Sequence, residues 1–270
     1  MKKIQTIALV APSGNIKNLN ELNQKISILE KNFKIKKFYD ETKSFGYLSD
    51  TVENRIKYFE NAFLDNEVDL IISIRGGFGA IEIVDLIDYQ KIKNTNKIYL
   101  GSSDATILLM ALSKKTSTKC FNGLMISNGF VENLKKNIEI IEKNAFKINL
   151  EKINNKEAKG KLWGGNLSSI VSMLSGEFYL PDDEIILFIE DLNEPLYKID
   201  KMLYEIYRCE KLRKKIKGII FGDFYTEKNE ITPLIEKYTK IFDVASFLTF
   251  DITHKENNIT LPYLKEISIG

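Results

Sequence analysis

The stretch Leu70-Ile71-Ile72-Ser73-Ile74-Arg75-Gly76-Gly77-Phe78-Gly79 decides the fold class. Its first five residues are apolar but for one small serine, a run too short for a buried helix and rich in β-branched side chains. It reads as a strand buried on both faces. A glycine-rich loop ends the run, and Ile81, Ile83, Val84 and Ile87 behind it read as a helix. The same unit recurs on either side. Upstream, a buried first strand, Ile4 to Ala11, ends at Pro12-Ser13-Gly14-Asn15. Leu19, Leu22, Ile26, Leu29 and Phe33 then give a helix one apolar stripe, and a short strand follows at Lys34 to Phe38. Asp50 and Glu53 have capping-box spacing before a helix with Val52, Ile56, Phe59 and Phe63 on its buried face. Downstream, strand Ile98-Tyr99-Leu100 breaks at Gly101-Ser102-Ser103-Asp104 ahead of the apolar helix Ile107 to Leu112. Repeated strand and helix units imply an α/β protein whose N-terminal parallel sheet carries helices on both faces.

Between Lys147 and Lys161 the chain turns rich in Lys, Glu and Asn and loses periodicity. This predicts an α/β domain over 1–150, a linker over 151–159 and a smaller mixed α/β domain over 160–270. The second half offers Gly164-Gly165-Asn166, a strong strand Ile185 to Ile189, an amphipathic helix around Ile199 to Tyr207 and a strand Gly218 to Phe221. The helix face formed by Met202, Leu203, Ile206 and Tyr207 suits either a dimer interface or the domain's own sheet.

An apolar fraction of 44% over 270 residues supplies a core. Lysine and arginine (39) nearly balance aspartate and glutamate (37), which argues against a nucleic-acid partner. Cys120 and Cys209 lie far apart, with neither metal-ligand spacing nor a disulfide framework, so a reducing, cytoplasmic setting fits. The start, Met1-Lys2-Lys3 and a short apolar run, carries Gln5 and Thr6 and enters a turn, as a strand does and a signal peptide does not. No stretch approaches the roughly 20 apolar residues of a membrane helix.

Ligands of parallel sheets collect at the carboxyl ends of strands, so the loops that follow strands hold the candidates. Gly101-Ser102-Ser103-Asp104-Ala105 has the form of a nucleophile elbow, which needs small residues two before and two after the nucleophile. Ser103 has Gly101 and Ala105 there, whereas Ser102 has Leu100 and Asp104; the alternative is that these serines merely cap the helix. Gly76-Gly77-Phe78-Gly79 presents unobstructed backbone N–H groups suited to a developing oxyanion. A dinucleotide loop is disfavoured, because Glu82 stands where the third glycine of that fingerprint belongs. His254 is the chain's one histidine, so if an imidazole activates a serine it must be this residue; the alternative is an ordinary surface histidine. Strand Ile185 to Ile189 ends in Glu190-Asp191, with Glu194 close behind; these acids fit the role of orienting an imidazole, but also a cation site or a solvated turn.

Together and in order, these loops resemble the LD-carboxypeptidase family of serine peptidases, which includes muropeptide recycling enzymes and microcin C immunity peptidases. The resemblance runs from Ala8-Leu9-Val10-Ala11-Pro12-Ser13-Gly14 through Gly46-Tyr47-Leu48 and Arg55. It is strongest at Arg75 to Ala80 and Gly101 to Thr106. It continues through Leu162-Trp163-Gly164-Gly165-Asn166-Leu167, Phe188 to Asp200 and Gly222-Asp223-Phe224.

The resemblance implies a relay of Ser103, His254 and Glu190, with Glu194 the second choice of acid, and backbone oxyanion donors at Gly77 and Asp104. It implies a small peptide substrate, no metal or other cofactor, a homodimer, and an α/β nucleophile domain followed by a smaller domain that supplies acid and base. The expected reaction is hydrolysis of the bond between an L-centre of diaminopimelate and a terminal D-alanine. Arg75 is a candidate for holding the new carboxylate or for anchoring its loop; Asn166 and Glu194 are further substrate-binding candidates. The alternatives are an immunity-type peptidase acting on a peptide-nucleotide conjugate, where Trp163 would stack the base, and a non-catalytic ligand-binding protein. Two departures bear on activity. Family members usually carry glycine before the histidine, where this chain has Thr253, and the segment around Lys255-Glu256-Asn257-Asn258 is shorter and more polar than usual.

Overall fold

A computed structural model of the chain describes residues 3–128, 131–176 and 179–270. They fall into two units, Met1–Phe146 with Lys255–Pro262, and Lys147–His254 with Tyr263–Gly270.

The first unit runs β1 (Thr6–Val10), α1 (Leu19–Leu29), β2 (Lys34–Phe38), α2 (Val52–Leu64), β3 (Leu70–Ser73), α3 (Ala80–Ile83), α4 (Tyr89–Ile92), β4 (Ile98–Gly101), α5 (Thr106–Lys115), β5 (Lys119–Asn122) and α6 (Val131–Lys143). Strand order is β5-β4-β3-β1-β2, all parallel, with the two-residue strand Leu261–Pro262 added antiparallel beside β5. β1, β3 and β4 are buried throughout, which is why their sequences are continuous apolar runs rather than alternating ones. On one face Ile7, Leu9, Leu70, Ile72 and Leu100 pack with Leu22, Ile26 and Leu29 of α1 and Leu134, Ile138 and Ile141 of α6. On the other, Phe59 and Phe63 of α2 meet the Tyr99 ring at 5.7 and 6.4 Å. Each fully buried Leu, Ile or Phe contributes about 1.5–3 kcal/mol, so these two layers fix the sheet.

The second unit runs β6 (Glu151–Lys152), β7 (Ala158–Asn166), α7 (Leu167–Ser172), β8 (Ile185–Glu190), α8 (Leu196–Arg208), α9 (Glu210–Arg213), β9 (Ile216–Phe221), α10 (Lys228–Phe242), β10 (Ala245–Leu248) and, after the strand β11 (Leu261–Pro262) of the first unit, β12 (Glu266–Ile269). The strands lie in the order β12-β7-β8-β9-β10-β6, the inner four parallel and both edges antiparallel.

Four local expectations are corrected. The cap of α2 is Thr51, whose hydroxyl accepts the Asn54 N–H; Asp50 is diverted to the Thr51 N–H and the Asn54 amide. The helix expected over Ile81 to Ile87 shrinks to the single turn α3, since Ile81, Ile83 and Val84 are β-branched and weak helix formers. The expected linker 151–159 contains β6 and the start of β7, because an exposed edge strand made of Glu and Lys carries no apolar signal. The chain also returns to the first unit over Lys255–Pro262. Ile199, Leu203 and Ile206 of α8 are buried, and α8 packs with α7 and α10, so that face serves its own unit.

Candidate active site

Ser103 stands two residues past the end of β4 with φ +56°, a left-handed conformation in a non-glycine residue. That backbone costs on the order of 1–3 kcal/mol and, at a strand-to-helix turn, lifts a serine hydroxyl out of a tight bend. The bend is tight enough to dictate Gly101: a Cβ there would lie 2.8 Å from the Ala105 Cβ. The glycine loop runs alongside. A Cβ on Gly76 would lie 2.7 Å from the Ser103 Cβ, 2.8 Å from its Oγ and 3.2 Å from the Asp104 nitrogen. Gly77 and Gly79 follow at φ +110° and +134°, which side-chain-bearing residues rarely adopt.

Two side chains hold this loop through contacts that no local sequence pattern encodes. Asp104, 6% exposed, accepts the Ala80 N–H at 2.9 Å and so caps α3 behind the loop. Burial pushes its carboxyl up, while the Ser13 hydroxyl, the Ala80 N–H and the Arg55 charge pull the other way. Arg55 is 1% exposed and donates to the carbonyls of Asp50, Pro12 and Gly79 at 3.1, 2.9 and 2.9 Å, with Glu82 against its remaining nitrogen. Arg75 donates to the Asn15 carbonyl at 2.6 Å, which anchors the neighbouring turn.

In the second unit, β8 delivers Glu190 at its carboxyl end, and the turn after β10 carries His254. Glu190 Oε2 lies 2.5 Å from His254 Nδ1, with the two side chains 4% and 9% exposed. The contact is at ion-pair distance without good hydrogen-bond alignment. Burial pulls the imidazole down, but Glu190, with added charge from Asp191 and Asp223, outweighs it, and His254 sits above the ordinary histidine value. Burial pushes the Glu190 carboxyl up, opposed by His254. Nδ1 faces the acid, which leaves Nε2 as the nitrogen able to take a proton from a nucleophile.

Glu194 instead pairs with Lys198 at 3.4 Å. Asn166 is committed within the unit: its Oδ1 caps α7 by accepting the Ser169 N–H, and its amide donates to Asp191 at 2.9 Å. Trp163 is 1% exposed, a packed side chain rather than an open stacking platform. Gly164 (φ +152°) is obligatory, because a Cβ would come within 1.8 Å of the Phe188 carbonyl oxygen. Thr253 is 2% exposed and donates to Asp223 at 3.1 Å, so the hydroxyl that departs from the family pattern is accommodated inside the unit. No group of three or more His, Cys, Asp or Glu able to hold a metal occurs among the described residues.

Sequence models of the LD-carboxypeptidase N-terminal and C-terminal domains match residues 7–123 and 159–269. The chain belongs to the LD-carboxypeptidase family. A probable murein peptide carboxypeptidase of Bacillus subtilis is 30% identical to this LD-carboxypeptidase family member over 80% of the chain and 73% of the relative. The microcin C7 self-immunity protein of Escherichia coli is 23% identical over 83% of the chain and 77% of its own length. Among solved structures, the muramoyltetrapeptide carboxypeptidase of Oxalobacter formigenes matches with a TM-score of 0.86 at 23% identity, covering 98% of this chain and 94% of that one. The self-immunity protein in complex with aspartyl sulfamoyl adenosine matches with 0.87 at 20%, covering 100% and 94%. At those identities the two structures share the fold with this chain. No described helix is long and apolar enough to cross a membrane.

Proposed function

We propose that this carboxypeptidase hydrolyses the L–D amide bond of a muropeptide tetrapeptide and releases its terminal D-alanine. Ser103 is the nucleophile, His254 the base and Glu190 the acid that orients it. Ser103 Oγ attacks the amide carbonyl carbon as its proton passes to His254 Nε2. The Gly77 and Asp104 N–H groups stabilise the oxyanion, and one such donor contributes about 3–4 kcal/mol to barrier lowering. The imidazolium then protonates the departing amine, the C–N bond breaks, and water repeats the sequence on the acyl-enzyme.

The observation that carries this reading is the buried 2.5 Å contact of Glu190 with the only imidazole in the chain. It supports a catalytic chain over one that has kept the fold and lost its chemistry, since a carboxylate against Nδ1 is the arrangement that orients an imidazole base. The relatives named for murein peptide and muramoyltetrapeptide cleavage support the substrate class. The buried Trp163 counts against base stacking by that residue and hence against the nucleotide-conjugate alternative. Purified protein should release D-alanine from a diaminopimelate-containing tetrapeptide and Ser103→Ala should not; equal release by both would sink the proposal.

A further inference from the structure

The turn between β9 and α10 packs against both the acid and the approach to the base. Gly222 donates to the Ile189 carbonyl at 2.7 Å, next to Glu190, and a Cβ on it would meet the Ile252 oxygen at 2.7 Å and the Glu190 Cβ at 3.0 Å. The next residue, Asp223, donates its N–H to that same Ile252 carbonyl at 2.9 Å. Its carboxylate, 6% exposed, accepts the Thr253 hydroxyl through Oδ2 at 3.1 Å and the Tyr225 N–H through Oδ1 at 2.9 Å. Tyr225, held at φ +56°, turns back so that its phenol oxygen lies 3.1 Å from the Thr253 hydroxyl and its ring stands edge-on to the His254 ring at 6.3 Å.

From these contacts we infer that Asp223, Thr253 and Tyr225 form a positioning bracket for His254, a role that rests on the base assignment proposed above. The residue immediately before the histidine is pinned at its side chain by a carboxylate and a phenol, and at its neighbour's carbonyl by an amide. These contacts restrain the peptide between Ile252 and Thr253 and the Thr253 side chain, and so hold the Cα from which the chain continues into His254. The bracket explains three features that packing alone leaves idle: a buried threonine hydroxyl before the base, a buried aspartate outside the Glu190 contact, and a strained non-glycine backbone at Tyr225. The ionisable groups around the imidazole are Glu190, Asp191, Asp223 and Tyr225. The bracket acts through the base. Its loss lowers turnover and leaves substrate affinity alone.

The test uses Tyr225→Phe, which deletes one hydroxyl from a partly buried ring, and Thr253→Val, with Thr253→Ser as the conservative rescue. Tyr225→Phe should lower kcat by about three- to tenfold, the effect of one hydrogen bond, and Thr253→Val, which loses both contacts of its hydroxyl, by at least as much, each with KM unchanged. Thr253→Ser should recover most of the loss. Because the chain holds one histidine, its imidazole proton resonances report on the base without turnover. They should shift or broaden in Tyr225→Phe and Thr253→Val and return toward wild type in Thr253→Ser. Unchanged imidazole resonances and unchanged kcat in both deletions overturn the bracket. If the resonances respond but His254→Ala keeps full activity, the bracket stands as structure and the base assignment fails, so the two failures are separable.

Discussion

Gly76→Ala isolates the closeness of the glycine loop to the nucleophile. Gly76 is not among the residues at positive φ, so alanine suits its backbone and the whole effect comes from the added methyl. That methyl would sit 2.7 Å from the Ser103 Cβ, where ordinary contact begins at 3.4 Å, a shortfall of about 0.7 Å that either the loop or the serine must absorb. Overpacking of this kind costs about 1–3 kcal/mol, a melting temperature lower by several degrees with the fold retained. Catalysis suffers more, since a displacement near 1 Å at a reacting group can cost about 100-fold. We expect kcat for tetrapeptide hydrolysis to fall by about 30- to 100-fold with KM within a few-fold of wild type. Gly46→Ala is the contrasting control. Its Cβ would meet nothing within 4 Å, but φ is +62°, so it should lose about 1 kcal/mol of stability and keep its kcat. Wild-type kcat in Gly76→Ala, or equal losses of kcat in the two variants, would refute the argument.

The Glu190–His254 contact makes a pH prediction. Because His254 is raised above the ordinary histidine value of 6.5, activity should climb with pH through a midpoint above 6.5; Glu190→Gln should lower that midpoint and reduce kcat by at least about 100-fold. The same shift makes the contact fully stabilising below the unfolded histidine value. That stabilisation is lost as pH rises through the higher folded value, a thermal-melt slope that Glu190→Gln should flatten. Gly164→Ala places a methyl 1.8 Å from a carbonyl oxygen at a φ alanine avoids, so it should cost more than about 4 kcal/mol, seen as loss of soluble folded protein. Arg55→Met removes one donor from each of three backbone carbonyls, of which Gly79 keeps the Glu82 N–H, and leaves Glu82 without its partner; it should destabilise by about 3–5 kcal/mol in chemical denaturation.

Much of this was legible in the sequence where burial is complete. β1, β3, β4 and β8 are apolar runs because helices or further chain cover them on both sides, and a run of that kind has few other readings. The elbow was legible because a bend so tight admits only small residues at Gly101 and Ala105, a steric demand that sequence spacing records. Between Glu190 and Glu194 the strand-end position already favoured Glu190 as the candidate acid; its contact with His254 joins positions too far apart in sequence to be read locally. Signals failed where the determinant is a partner distant in sequence. Asp50 and Thr51 are both capping residue types, and only the competing Asn54 amide separates them. The edge strand β6 reads as a charged linker, and the two residues of β11 are too few for any pattern. The hydroxyl chain from Tyr225 through Thr253 to Asp223 joins positions 28 and 30 residues apart, and no local periodicity encodes it.

The central claim, a serine activated by His254, is tested most directly by treating the protein with a fluorophosphonate across pH and mapping the adduct. The account predicts one adduct, on Ser103, at a rate that rises with pH through the His254 midpoint and collapses in His254→Ala. An adduct on another residue, or labelling of Ser103 undiminished in His254→Ala, would contradict it.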